Sequence, residues 1–124
     1  QFNTINAATS ANVVLTGGLT DEAVNFSATN GTATSGLTNS TTQDGDVAIT
    51  VSGGTEANVA QLNKIGSLTS GTVTASITGN VADLDDLTTA STDAITVTVS
   101  DAATVAQFNT INAATSANVV LTGG

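Results

Sequence analysis

The chain has 124 residues and a formal charge of −9, with a single basic residue, Lys64, against ten Asp and Glu. Such a surface cannot neutralise phosphates, which excludes nucleic-acid binding and disfavours anionic membranes, and no apolar run approaches the roughly 20 residues that span a bilayer. Cys and His are absent, which removes disulfides, thiolate chemistry and the commonest general base.

Phe2, Phe26 and Phe108 are the only aromatic residues. A core must therefore be assembled from many small side chains, chiefly Val, Ala, Leu and Ile, in a regular arrangement. A mean hydropathy of +0.23 with 9% charged residues lies outside the disordered class.

The chain opens on QFNTINAATSANVVLTGG, residues 1–18, and the same eighteen residues return unchanged as 107–124. The large period is therefore 106 residues. Val13 starts a first strand, and DEAVNFSATN (21–30) reads as a helical return with Val24 and Phe26 inward. GTATSGLTN (31–39) reads as a weak strand starting near Thr32, and residues 19–46 are the degenerate part of the pattern. VAITVSGG (47–54) is a clear strand.

From residue 59 a finer repeat is visible. VAQLNKIGSLTSGTVTASITGN (59–80), VADLDDLTTASTDAITVTVSD (81–101) and VAQFNTINAATSANVVLTGG (105–124) align on Val59, Val81 and Val105, spaced 22 and then 24 residues apart. The first half of each unit carries apolar residues every third position: Val59, Leu62, Ile65 and Leu68; Val81, Leu84 and Leu87; Val105, Phe108 and Ile111. That spacing predicts a short helix with one buried stripe. The second half alternates, with Val73, Ala75 and Ile77 against Thr72, Thr74, Ser76 and Thr78, then Ile95, Val97 and Val99 against Thr96, Thr98 and Ser100. Period two predicts a strand with one buried face. Asn80 is expected to cap the Val81 helix, with Thr55 and Asp101 before the other two. Gly17-Gly18, Gly53-Gly54 and Gly79-Asn80 are expected to close the strands with positive-φ turns.

Strand, turn, helix and strand in tandem form the unit of a right-handed parallel α/β solenoid, here of about 22–24-residue strand–turn–helix coils and roughly five coils per 106-residue period. The expected organisation is one full period over 1–106, with 19–46 as degenerate coils or a loop, and the start of the next period over 107–124. The duplication reads as a window on a longer repetitive polypeptide; the alternative is a self-contained domain with a duplicated edge.

The phrasing of these three units, from VAQLN through ASITGN, VTVSD and VVLTGG, resembles tandem repeats of giant bacterial cell-surface and extracellular proteins, notably those of marine cyanobacteria. The resemblance covers the periodic residues and not 19–46. It implies an extracellular or cell-surface location and a role in surface layers, adhesion or fibres. It implies no catalytic residues.

Among side chains that carry chemistry, Asp83, Asp85 and Asp86 with Asp93, and Asp44 and Asp46 in Asp-Gly-Asp, are candidate Ca²⁺ ligands because that ion takes several hard oxygens. The competing reading is a solvated acidic face. Thr50 and Ser52, Thr74 and Ser76, and Thr96 and Thr98 are expected to form an outward ladder, suited to solubility, to packing or to binding ice. Asn25, Asn30 and Asn39 begin Asn-x-Ser/Thr triplets. Ser is plentiful but lacks a base, and Lys64 reads as a solvated residue, so no enzyme is expected. The expectation is a non-catalytic structural segment of a long filament that self-associates, with an adhesin stalk, glycan-binding or Thr-ladder ice-binding module as the alternative.

Overall fold

A computed structural model describes residues 1–124. The elements, in order, are α1 (Phe2–Ala7), β1 (Leu19–Asp21), α2 (Ala23–Phe26), α3 (Ser35–Gln43), β2 (Ile49–Val51), α4 (Val59–Leu68), β3 (Val73–Gly79), α5 (Val81–Leu84), β4 (Ala94–Val99), α6 (Val105–Ala113) and β5 (Val119–Leu121). The five strands form one sheet in the order β1-β2-β3-β4-β5, and every neighbouring pair is parallel. The protein is thus an α/β chain in which each strand pairs with the next one in sequence. Parallel pairing requires a crossover between strands, and helices supply it each time.

The alternating runs form the strands they predict. In β3, Val73, Ala75 and Ile77 are buried while Thr74, Ser76 and Thr78 are exposed. In β4, Ile95, Val97 and Val99 are fully buried. These residues pack with Leu62 of α4, Leu84 of α5 and Ile111 of α6 in one cluster. A second cluster joins Phe26, Leu37 and Ile65 to Val47, Ile49 and Val73. The stripes of α4 and α5 therefore supply one wall of the core, and the inward face of the sheet supplies the other; in α6 only Ile111 is buried, while Phe108 is half-buried and Val105, expected in the stripe, stands beside the Thr104 cap at the open start of the helix and is 78% exposed.

Caps define the helix starts. Asn80 accepts a hydrogen bond from the Asp83 N–H at 2.9 Å, as expected. The other two caps are Asn58 and Thr104 rather than Thr55 and Asp101. Each stands immediately before its Val-Ala pair and forms a capping box with the Gln three residues on, Gln61 or Gln107. Asp101 lies too far ahead of α6 to cap it and instead accepts from the Val81 N–H at 2.7 Å.

The degenerate segment departs from expectation. Residues 31–39 do not form a strand: Thr34 caps α3, accepting from the Leu37 N–H at 3.2 Å, and only Ala33 makes an isolated bridge to Ser27. Residues 22–48 are therefore one connection carrying two helices, so the sheet has four crossovers where about five coils were expected. Within α2, Phe26 is buried as expected, but Val24 is 55% exposed and Ala23 takes the inward position. Gly18, Gly53 and Gly54 adopt positive φ, whereas Gly79 remains within β3.

The two identical eighteen-residue copies share their helix, Phe2–Ala7 and Phe108–Ala113, but not their strand. Val119–Leu121 pairs with β4, whereas Val13–Leu15 has no strand on that side and stays outside the sheet.

Candidate functional site

The polar side chains that matter structurally join one strand–helix segment to the next. Most of their partners lie 20 or more residues away, about one crossover. The Thr69 hydroxyl donates to Val47 O at 2.6 Å. The Thr115 hydroxyl donates to Ile95 O at 2.7 Å and lies 2.9 Å from the Ile95 N–H, which it accepts. Thr89 donates to Ala114 O at 2.7 Å. Asp93 is buried and its carboxylate accepts from the Val73 N–H at 2.8 Å and the Ala90 N–H at 2.9 Å. On the helical side, Gln61 donates to Ser27 O at 2.8 Å, and Asn63 both donates to Asp86 O at 2.9 Å and accepts from the Thr88 N–H at 2.8 Å. A buried N–H without a partner costs about 1–3 kcal/mol, so these side chains complete a backbone that the ladder leaves unfinished at each corner. The recurring Thr-Ser pair before a strand, Thr69-Ser70 and Thr115-Ser116, is the sequence signal for this role.

The candidate Ca²⁺ ligands do not assemble: no group of three or more acidic side chains converges. Asp83 serves the α5 start, where its carboxylate takes the Asn80 amide at 2.9 Å. Asp44 precedes β2 and accepts from the Leu15 N–H at 2.6 Å. Asp93 is committed to Val73 and Ala90. Asp46 is exposed, and Asp85 Oδ1 is enclosed without a protein partner. One such oxygen does not by itself make a cation cage. The Asp21 carboxyl is held below its ordinary range: the Asn25 amide donates to it at 2.7 Å, and the Glu22 N–H at 2.9 Å adds to the effect.

The largest cavity is an open cleft of about 630 Å³ between the α4 and α5 segments. Ala57, Ile77 and Leu84 form part of its wall, and Glu56, Asp83 and Asp86 give it an acidic margin. Within it the Glu56 carboxylate accepts from the Thr78 N–H and lies 3.5 Å from the Thr78 hydroxyl. Lys64 stands on α4, outside the cleft lining. Asn25, Asn30 and Asn39 are all exposed. Asn25 is held by Asp21, and Asn30 accepts from the Thr32 N–H at 3.0 Å.

The outer face of the sheet is rich in Thr, and the strand register sets its rows. Thr20, Thr50 and Thr74 stand side by side across β1, β2 and β3. On the next strand Thr74 meets Ala94, while Ser76 meets Thr96 and Thr78 meets Thr98. The β3–β4 register offset is 20 residues, two fewer than the spacing of Val59 and Val81, so the rows shift by one inward–outward pair. Val120 continues the last row beside Thr98. No helix of the chain is long and apolar enough to cross a membrane.

Comparison with known protein families, with curated proteins and with solved structures finds no match.

Proposed function

We propose that the chain is a structural, non-catalytic repeat segment of a long extracellular or cell-surface filament, built as a right-handed parallel α/β solenoid. The observation that carries this reading is the sheet order. Five parallel strands follow one another in chain order, and the fifth is made by residues that repeat the first eighteen. The buried residues of α4, α5 and α6 share their core with the inward face of the sheet, as a continuing coil requires, and the right-handed crossover rule sets the hand. No winding buries its aliphatic face alone, so neighbours supply it.

Each 106-residue period then contributes four windings. The register offsets of 30, 24, 20 and 22 residues carry Leu19 to Thr115, ten residues short of its equivalent one period later. Windings therefore advance along the strand direction as they stack, and the Leu15–Gly18 turn, closed by a 2.8 Å hydrogen bond, takes up part of the difference. At about 4.8 Å per strand, a period adds about 19 Å across the strands. Solution scattering on chains of one, two and three periods tests this. The maximum dimension is expected to grow by a constant step of at least about 19 Å with an unchanged cross-section; a cross-section that grows with the number of periods would contradict the reading.

The Thr20–Thr50–Thr74 row supports a second reading, in which the outer face binds ice or a glycan. Thermal hysteresis, lost when Thr50 becomes Leu, would favour ice binding over a purely structural role.

A further inference from the structure

The repeated eighteen residues make two different sets of contacts in their two positions, and the sets do not overlap. In the C-terminal copy the segment faces β4. Asn118 O accepts from the Val97 N–H at 3.1 Å, and the Thr122 N–H donates to Val99 O at 2.9 Å. The register Val97↔Val119 and Val99↔Leu121 turns the N–H groups of Val120 and Thr122 toward β4. Strand alternation turns those of Val119 and Leu121 to the opposite edge. In the N-terminal copy these last two are the ones in use. The Val13 N–H, equivalent to Val119, donates to Gln43 Oε1 at 3.3 Å, and the Leu15 N–H, equivalent to Leu121, donates to Asp44 Oδ2 at 2.6 Å.

The side chains divide in the same way. Ile111 is 0% exposed, whereas its equivalent Ile5 is 55% exposed. Thr115 and Ala114 are buried against the β4 segment, whereas Thr9 and Ala8 are open. The local geometry is nonetheless already in place. Thr9 accepts from the Ala11 N–H at 3.0 Å, as Thr115 does from the Ala117 N–H at 3.0 Å. The Ala8 and Ala114 N–H groups reach Ile5 O and Ile111 O, each at 3.1 Å. A face that holds its bound geometry while empty loses little entropy on docking.

We infer that the repeated segment is a two-sided coupler, and that the open face of Ile5, Ala8 and Thr9 is the docking surface for a second copy of this chain. The occupant is the β4 winding of that copy, through Asp93, Ile95, Val97 and Val99, which already receives the same eighteen residues at the other end. One segment would then hold the preceding copy through Val120 and Thr122 and the following one through Val119 and Leu121. In separate chains the seat on β4 is filled by residues 107–124, so coupling there requires displacement of that segment; in a tandem chain it requires none. The inference rests on the stacked-winding reading above.

The test is hydrogen exchange on a chain in which residues 1–106 precede the complete sequence, compared with the single chain. In the internal copy, the amides at positions 119, 120, 121 and 122 are all expected to exchange slowly. In the C-terminal copy of the single chain, only Val120 and Thr122 are. Asp44→Ala in the second period should speed exchange at the internal Leu121 about tenfold or more and leave Val120 unchanged. An internal copy protected on one edge alone, or an Asp44→Ala variant without effect at Leu121, would overturn the coupler. If Val120 and Thr122 also exchange freely in the single chain, β5 is not docked and the stacked-winding reading falls with it.

Discussion

Ile5 and Ile111 are the same residue in the same eighteen-residue context, yet one is half exposed and the other sealed. Truncating each to Ala therefore isolates what the neighbouring winding contributes. Ile111 packs with Leu84, Ile95, Val97 and Val99, and a large-to-small change at such a site costs about 2–5 kcal/mol in lost transfer energy and cavity. At Ile5 about half of the side chain is already in water and no closed cavity forms, so Ile5→Ala should cost about 1 kcal/mol. The expected difference is about 1–4 kcal/mol, which at urea sensitivities of about 1–3 kcal/mol per M moves the midpoint by a few tenths of a molar or more. Tyr and Trp are absent, so far-UV circular dichroism is the suitable probe. Equal midpoints for the two variants would refute the claim that the β4 winding is what buries Ile111.

Three further predictions follow from particular groups. Asp93→Ala strips the buried Val73 N–H and the partly buried Ala90 N–H of their acceptor and should destabilise by roughly 1–3 kcal/mol, with Asp93→Asn costing less, as read by urea unfolding. The lowered folded-state pKa of Asp21 means that its stabilisation is present above the ordinary carboxylate range and lost as pH falls through the lowered value; Asn25→Ala should raise that pKa in an NMR titration, and an unchanged titration would discount the Asn25 hydrogen bond. A charge of −9 per period should oppose side-by-side association at low salt, so sedimentation should show larger species with added salt or divalent cations, reversed for the latter by EDTA.

Much of the second half of the chain was legible because two signals coincide there. Period-two burial in β3 and β4 and the three-residue stripe of α4 each point one way, and the Asn80 cap marks their junction. Residues 31–39 misled because Thr and Ala suit a strand edge as well as a helix start, and what decides is the Thr34 cap with Leu37 buried against Phe26 and Ile65. The register was not readable from repeat spacing: side-chain latches such as Thr115 on Ile95 set a 22-residue offset at β4–β5, whereas β3–β4 pairs at 20. The different fates of Val13 and Val119 cannot be encoded locally at all, since the local sequences are identical. Which side a neighbouring strand occupies decides between them. Of the carboxylates read as candidate metal ligands, Asp44 and Asp93 accept from backbone N–H groups and Asp83 from the Asn80 amide at a helix start, a use that composition does not distinguish from cation binding.

The most direct test of shared burial between windings is urea unfolding of chains containing one, two and three periods, followed by circular dichroism. Coupled windings predict that the midpoint rises with each added period and that the transition steepens as the cooperative unit grows. An identical midpoint and slope for all three chains would show that each period folds alone, and would contradict the account.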